Sequence, residues 1–229
     1  MNMSLKQQSI VAAFFLSLVT LSANAEVELK TNQQKYSYAI GIQVANNLKS
    51  QEIKLDPESL SQALKDVLNN KPLRASPDEL NLAIEALHKE NAAKKQQVAK
   101  LAIEKGTTYR KKYKQSNDVT TLKNGLQYKV LTKGKGTKPK GTDTIIAHYE
   151  GKLINGKIFD SSFKRKKPAT FPVNRVIKGW QEIIPMMPLG SVWEVVIPPE
   201  LAYGDQGAGK DIGPGETLIF KIELISIKS

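Results

Sequence analysis

The chain has 229 residues, of which 40% are hydrophobic, 34 are Lys or Arg, 22 are Asp or Glu, and none is Cys. The absence of Cys excludes disulfide frameworks, thiol nucleophiles and cysteine-based zinc or iron–sulfur sites. Only His88 and His148 can supply an imidazole, so we expect no metal site, no cofactor and no Ser-His catalytic pair.

The first 25 residues have the pattern of a secretory signal. Lys6 is their only charged residue, residues 10–19 form an apolar run, and the small-x-small sequence Ala23-Asn24-Ala25 ends the segment. A membrane anchor is the alternative, but this run is short of the roughly 20 apolar residues that span a bilayer. We therefore predict an exported protein, cleaved between Ala25 and Glu26.

Residues 26–76 are predicted to form a helical domain. A stripe of apolar residues four positions apart indicates a first helix over about 35–50. Its members are Tyr36, Ile40, Val44 and Leu48. A second helix begins at Asp56-Pro57, where Asp56 can cap the helix and Pro57 fits its first position.

The third helix has the strongest start signal, because Ser76 and Glu79 fit a capping box. No helix breaker follows until Gly106. We predict a long connecting helix over residues 77–117, with its helical part ending near Lys114. Its start carries a stripe of residues that are expected to be buried, namely Leu80, Ala83 and Leu87. Apolar positions then thin to a few such as Val98 and Leu101, so its far end is expected to be exposed to solvent.

The helical half holds too few residues to bury a sufficient core by itself. Pairing with a second copy would complete the core, so we predict a homodimer formed through this half of the chain. A monomeric three-helix cap packed on the second half is the alternative.

From Leu122 the hydrophobic period changes to two, which indicates β-strands. Strand patterns occupy residues 126–130, 144–150, 192–197 and 217–227. The sequence Asn155-Gly156 between apolar residues indicates a hairpin, and one short amphipathic helix is expected over 179–187. For residues 118–229 we predict an antiparallel half-barrel sheet wrapped around that helix, which makes the whole chain an α+β protein.

Two sequence patterns suggest chemistry but lack essential parts. Residues 204–210 fit a phosphate-binding loop, yet Asp211 stands where Ser or Thr would hold magnesium, and Gly213-Pro214 prevents a helix from opening there. Several carboxylates are available for glycosidase chemistry, but their spacing brings no two of them together.

The net charge of +12 would suit binding to nucleic acid. Because the lysines are scattered and not interleaved with aromatic residues, we expect no nucleic acid partner. The basic surface instead suggests peripheral contact with anionic envelope surfaces.

A group of aromatic and aliphatic residues could form an ordinary core, but its members lie in five ordered sequence blocks. The blocks are Ala147-His148-Tyr149-Glu150-Gly151, Gly156-Lys157-Ile158-Phe159-Asp160-Ser161-Ser162, Val176-Ile177-Lys178-Gly179-Trp180, Leu201-Ala202-Tyr203-Gly204 and Thr217-Leu218-Ile219-Phe220. In order and spacing they resemble the signature of the FKBP-type peptidyl-prolyl cis-trans isomerases, over about residues 122–229. The signal and the helical half are similar to the secreted, dimeric branch of that family, the macrophage infectivity potentiator (Mip) proteins of Gram-negative bacteria.

The resemblance implies an apolar substrate pocket with Trp180 as its floor. The implied wall and rim residues are Tyr149, Phe159, Phe171, Val176, Ile177, Ile212 and Phe220. The hydroxyl of Tyr203 and the backbone N–H of Ile177 would bind substrate carbonyls. Asp160 would face the rotating bond, held by Tyr149 and Arg165.

The implied function is an exported isomerase, in the periplasm or at the outer membrane or cell surface, that acts on X-Pro bonds of folding proteins. Proline-containing polypeptides and the macrolide inhibitors of the family would be its partners, and the dimer cleft would add chaperone activity. A non-catalytic chaperone and a surface-binding virulence factor are the alternatives. The sequence departs from the family at Ala169, Pro185 and Gly213, and the loop after Tyr203 lacks a His, which bears on affinity and substrate preference but not on the reaction.

Overall fold

The computed structural model describes residues 27–50 and 53–228. The predicted cleavage site, Ala25 and Glu26, lies outside the described residues. The chain divides between Arg74 and Ala75 into two compact units. Within the described ranges, none of the helices has both the length and the apolar content needed to cross a bilayer.

The first unit contains helices α1 (Asn32–Ser50) and α2 (Pro57–Leu68). The predicted start of α2 is confirmed, since the Asp56 carboxylate accepts a hydrogen bond of 2.8 Å from the Ser59 backbone N–H. That contact satisfies one of the free amides at the start of the helix.

Helix α1 buries none of its side chains in the single chain. Tyr36 and Ile40 of its apolar stripe are more than half exposed, and Leu64 on α2 is 56% exposed. The one buried residue of α2 is Asp66, whose carboxylate accepts hydrogen bonds from Gln62 and Arg74. The apolar residues of this unit therefore lack a core of their own.

Helix α3 runs without interruption from Pro77 to Tyr113. The capping box is confirmed: the Ser76 N–H donates to the Glu79 carboxylate at 2.8 Å, and the Glu79 N–H donates to the Ser76 hydroxyl at 3.3 Å. Gly106 neither ends nor breaks the helix, because it is buried against Thr217 and is not exposed to water.

The expected exposure of the far end of α3 is confirmed for Val98 and Leu101 but is wrong for Ala99, Ala102 and Gly106, which are buried. At the near end, Leu80 is 45% exposed in the single chain. The spacing of Ala99, Ala102 and Gly106 by three and four residues places them on one face of the helix. The far half of α3 is therefore packed on the second half of the chain and is not an exposed connector.

The contacts of α3 place it on the outer face of the sheet. Arg110 donates from its guanidinium to the Thr217 hydroxyl, and its carbonyl accepts from the buried Gln127 side chain at 3.0 Å. The Tyr113 hydroxyl donates to the Glu194 carboxylate at 3.0 Å. Helix α3 thus covers the side of the sheet opposite the core.

Among its described residues, the second unit also contains seven strands and one further α-helix. They are β1 (Val119–Thr121), β2 (Gln127–Thr132), β3 (Thr144–Leu153), β4 (Ile158–Ser161), β5 (Ala169–Pro172), α4 (Lys178–Ile183), β6 (Val192–Ile197) and β7 (Leu218–Lys228). The strands pair in the order β1-β2-β6-β7-β3-β4, with β5 also on β3, and every pair is antiparallel. The predicted α+β fold, with an antiparallel sheet around one short helix, is confirmed. The short edge strands β1 and β5 were not predicted, because they have no clear period-two pattern in the sequence.

The core fills the concave side of the sheet, where alternate residues of the long strands meet α4. On β7 these are Leu218, Phe220, Ile222 and Leu224. The period-two pattern identified this face from the sequence, because successive side chains of a strand point to opposite sides. The end of the predicted helix differs: α4 stops at Ile183, and a 3₁₀ turn containing Pro185 continues the chain.

Candidate functional site

The floor of the site is the indole of Trp180, which lies on α4 and is 4% exposed. Helix α4 approaches β6 closely because its second residue is Gly179. A Cβ atom at that position would lie 2.6 Å from the Ile197 side chain. The absence of a side chain at position 179 therefore lets the indole sit deep in the hollow of the sheet.

Three aromatic rings stand around the indole at nearly right angles to it. The centroids of Tyr149, Phe171 and Phe220 lie 5.5, 5.4 and 5.3 Å from that of Trp180, with interplanar angles of 87°, 76° and 80°. Phe159 continues the wall, edge to face with Phe220 at 5.6 Å. Edge-to-face pairs at such distances are favourable for aromatic rings. The rings and the indole together form an apolar cup.

The strand register brings these rings together. Phe220 on β7 and Asp160 on β4 both lie opposite Gly151 of β3. A Cβ atom at position 151 would lie 2.5 Å from the Phe159 ring and 2.8 Å from the Phe220 ring. The glycine therefore provides the space in which the two rings meet over the strand.

The cup opens into a cavity of about 590 Å³, which lies in the range of about 300–1,000 Å³ that is typical of small-ligand sites. The residues predicted from the sequence that line it are Tyr149, Phe159, Asp160, Phe171, Val176, Ile177, Trp180, Tyr203, Ile212 and Phe220. Arg165 does not line the cavity and contacts it only through Asp160 and Tyr149. The structure thus brings ten of the eleven predicted substrate-site residues to one cavity.

The polar side of the cup is a three-residue network. The Asp160 carboxylate accepts hydrogen bonds from the Tyr149 hydroxyl and the Arg165 guanidinium, and Arg165 also donates to the Tyr149 hydroxyl at 2.9 Å. Burial alone would raise the pKa of Asp160, but the hydrogen bonds from Tyr149 and Arg165 outweigh it, so the pKa lies below its ordinary value. Asp160 is therefore ionised and fixed in orientation at neutral pH.

Two potential donors face the same space. The Tyr203 side chain lines the cavity, and burial followed by the charge of Asp160 raises the pKa of its hydroxyl, which keeps the proton available for donation. Ile177 is the residue before α4, so its backbone N–H lies outside the hydrogen-bonding pattern of that helix. Both groups can donate to carbonyl oxygens of a bound chain.

The glycine-rich segment from Gly204 to Gly213 forms the rim of the cavity. It is not a phosphate-binding loop, because no helix follows it. Its tip is closed by a bridge between Ala208 and Ile212. Gly207 has a φ of +70°, and a Cβ there would lie 2.4 Å from the Ile212 carbonyl oxygen. This tight turn aligns the loop along the cavity and seats Ile212 at its edge.

Sequence reasoning missed five cavity-lining residues, namely Arg175, Ala208, Gly209, Lys210 and Asp211. Arg175 directly precedes the predicted wall residue Val176, and the other four belong to the glycine-rich loop, whose sequence suggested nucleotide binding and, at Asp211, a glycosidase carboxylate. Their proximity to the sequence blocks was the available signal, but polar loop residues have no periodicity that marks a binding role.

Comparison with protein families gives two matches along the chain. A model described as "FKBP-type peptidyl-prolyl cis-trans isomerase" matches residues 135–225, and a model described as "Domain amino terminal to FKBP-type peptidyl-prolyl isomerase" matches residues 33–130. Together they cover most of the described residues.

Similar proteins span nearly the whole chain. The peptidyl-prolyl cis-trans isomerase Mip of Coxiella burnetii is 43% identical over 215 residues, which are 92% of this chain and 94% of that protein. The outer membrane protein MIP of Legionella longbeachae is 39% identical over 229 residues, 97% of this chain and 98% of that protein. The crystal structure of FkpA from Escherichia coli matches with a TM-score of 0.63 at 37% identity, covering 88% of this chain and 99% of that chain.

Proposed function

This chain belongs to the FKBP-type peptidyl-prolyl cis-trans isomerase family, and we propose that it binds the proline of a client polypeptide in the cup around Trp180. The isomerase activity goes with the family, whereas the position of the substrate is our inference. The observation that carries it is the set of three rings standing nearly perpendicular on a buried indole, beside a fixed carboxylate. A pyrrolidine ring is compact and apolar and packs well on an aromatic floor of that kind.

The cup favours rotation about the X-Pro bond because its surroundings are apolar and the amide becomes less polar as it twists. Rotation about a peptide bond has a barrier of about 18–20 kcal/mol, which comes from amide resonance. The planar amide is strongly dipolar, and the twisted amide is less so. An apolar environment therefore stabilises the twisted form relative to the planar one, and only such differential stabilisation accelerates the reaction. Neither a nucleophile nor a cofactor is required.

The polar groups orient the chain in this proposal. Tyr203 and the N–H of Ile177 donate hydrogen bonds to substrate carbonyls, which holds the segments flanking the rotating bond. The Asp160 carboxylate faces that bond and disfavours the planar amide, whose oxygen carries more negative charge than in the twisted form. Tyr149 and Arg165 prevent the carboxylate from turning away.

The assignment is tested by cis–trans isomerisation of a short prolyl peptide. We expect Tyr203→Phe to lower kcat/KM modestly, and Trp180→Ala and Asp160→Leu to lower it severely. Tyr128→Phe is the matched control, since Tyr128 stacks on Trp193, the second tryptophan, which does not line the cavity. Thermal unfolding of each variant checks that the fold is retained. Full activity of Trp180→Ala would refute the assignment, and a macrolide inhibitor of the family should compete with the peptide in the parent protein.

A homodimer through the first unit is part of the proposed function. It is supported by α1, which buries no side chain while Tyr36, Ile40 and Val44 are 57%, 56% and 45% exposed. Exposed apolar side chains in such density are typical of interaction surfaces. Sedimentation equilibrium should give a dimer, and Ile40→Glu combined with Val44→Glu should give a monomer that still isomerises a short peptide. A monomeric parent protein would contradict the dimer and leave the cavity assignment untouched.

Export and chaperone activity complete the proposal. The relative from Legionella longbeachae is named an outer membrane protein, and residues 1–25 have a signal-like pattern, so we place the mature protein in the periplasm or at the outer membrane or cell surface. Mass spectrometry of the mature chain should find Glu26 as the first residue. Refolding of a client without slow prolines tests chaperone activity separately, because a pure isomerase would leave its yield unchanged.

A further inference from the structure

The mouth of the cavity carries two basic side chains that the reaction does not use. Arg175 lies on the segment before α4 and Lys210 on the glycine-rich rim, and both line the cavity. Both are exposed, and neither has an ion-pair partner among residues 27–50 and 53–228. Their charge is therefore available to a bound chain.

The acidic side chains of the same lining are already engaged. Asp160 is paired with Arg165, and Asp211 is paired with Lys157 at 2.8 Å. Both pairing cations lie outside the lining. Each of the two acids has a cation of its own, so Arg175 and Lys210 leave the mouth of the cavity with an excess of positive charge.

The turn that follows β4 and carries Arg165, the ion-pair partner of Asp160, adds to this charge. Lys164, Lys166 and Lys167 flank Arg165 and are all exposed. Like the two lining cations, they have no ion-pair partner in the part of the chain that the structure describes. A basic rim beside an apolar cup attracts chains that carry carboxylates near an apolar proline segment.

We infer that Arg175 and Lys210 give the enzyme a preference for clients with Asp or Glu within a few residues of the proline. The inference rests on the proposed function of the cup, because it assumes that the proline occupies it. An extended residue spans about 3.3 Å, so side chains two or three residues away from a seated proline reach the rim.

The preference should appear in KM and not in kcat. The two cations lie at the rim and act equally on the planar and the twisted amide, so they bind ground state and transition state alike. Attraction of this kind is weakened by salt, since the screening length falls to about 3 Å at 1 M ionic strength.

Short prolyl peptides that differ at one position two residues from the proline provide the test. With Glu, Gln or Lys at that position, on either side, we expect kcat/KM to fall about fivefold from Glu to Gln and again from Gln to Lys at low salt. These differences should be in KM, and the ratios of kcat/KM between the peptides should approach one at 1 M salt. Equal kcat/KM for the Glu and Lys peptides at low salt would overturn the inference.

Charge variants identify the residues responsible. The double variant Arg175→Gln, Lys210→Gln should remove most of the Glu-to-Lys ratio and leave only the smaller contribution of the lysines at positions 164, 166 and 167, and Arg175→Glu, Lys210→Glu should lower the ratio further. Lys138→Gln removes one charge from an exposed lysine outside the cavity lining and should leave the ratio unchanged. A ratio that is undiminished in both double variants overturns the assignment to these residues. A parent protein that turns over none of the peptides refutes the proposed function itself, so the two failures are distinguishable.

Discussion

Gly151 can test the packing of the cup without altering any group that binds substrate. It lies in β3, where a Cβ atom would come within 2.5 Å of two carbons of the Phe159 ring and 2.8 Å of one carbon of the Phe220 ring. Carbon atoms in normal contact are about 3.5–4.0 Å apart. Gly151→Ala therefore requires the two rings to move by about 1 Å, and the wall of the cavity moves with them.

The size of the effect follows from the cost of overpacking. Inserting a methyl group into a well-packed region typically costs about 1–3 kcal/mol. Since 1 kcal/mol shifts the Tm of a domain of this size by about 2–4 °C, we expect the Tm to fall by roughly 2–12 °C. Displacement of a binding wall by about 1 Å can lower turnover by up to about 100-fold, so we expect kcat/KM for a prolyl peptide to fall by 10- to 100-fold.

Two further variants make the test specific. Gly141→Ala is the matched control, because nothing lies within 4 Å of a Cβ atom there and its φ is not positive; it should match the parent protein in both measurements. Phe159→Leu should cost less in the Gly151→Ala background than in the parent protein, since the smaller side chain relieves the collision. A Gly151→Ala protein with the Tm and kcat/KM of the Gly141→Ala control would refute the close approach of the rings over β3.

Three further predictions concern stability. Gly106→Val should destabilise the protein by about 1–3 kcal/mol in denaturant unfolding, because the valine side chain would collide with Thr217 and break the hydrogen bond that Arg110 donates to the Thr217 hydroxyl. A solvent-exposed connector would tolerate the substitution. Ser76→Ala should cost about 1 kcal/mol through loss of the cap of α3, while Ser76→Asp, which retains the cap, should be close to neutral. Asp160 has a folded-state pKa below its ordinary value, so it contributes stability above the ordinary carboxyl range of about pH 4, and that stability is lost as pH falls through the depressed pKa. The free energy of unfolding should therefore fall more steeply with pH below about pH 4 in the parent protein than in Asp160→Asn. Parallel curves of unfolding free energy against pH would contradict the ion pair.

Local signals in the sequence were sufficient for element starts and strand faces. The capping box at Ser76, the cap at Asp56 and the Asn155-Gly156 hairpin each depend on residues a few positions apart, so the information is complete within a short window. The alternation along β7 likewise identified its core-facing residues, because a strand with one buried face must alternate. The ordered sequence blocks, through their resemblance to a family, indicated a single apolar cavity.

The packing of α3 could not be predicted in this way. Its contact face consists of Ala99, Ala102 and Gly106, which are small enough for a helix to lie close to a sheet but contribute little to a hydrophobic pattern. The larger Val98 and Leu101 dominate that pattern and are exposed in the single chain. Which face of a helix is buried depends on the shape of the surface that meets it, and that surface includes Gly215 and Thr217, which lie more than a hundred positions further along the chain.

The sequence alone determined the fold class, the helix caps, the family and most of the residues of the cup, because each depends on local pattern or on motifs in a fixed order. The tertiary structure alone decided that α3 covers the outer face of the sheet and that Arg175 and Lys210 share the rim of one cavity. These facts require segments distant in the chain to meet. Only the register of the strands and the turn of the glycine-rich loop fix where they do.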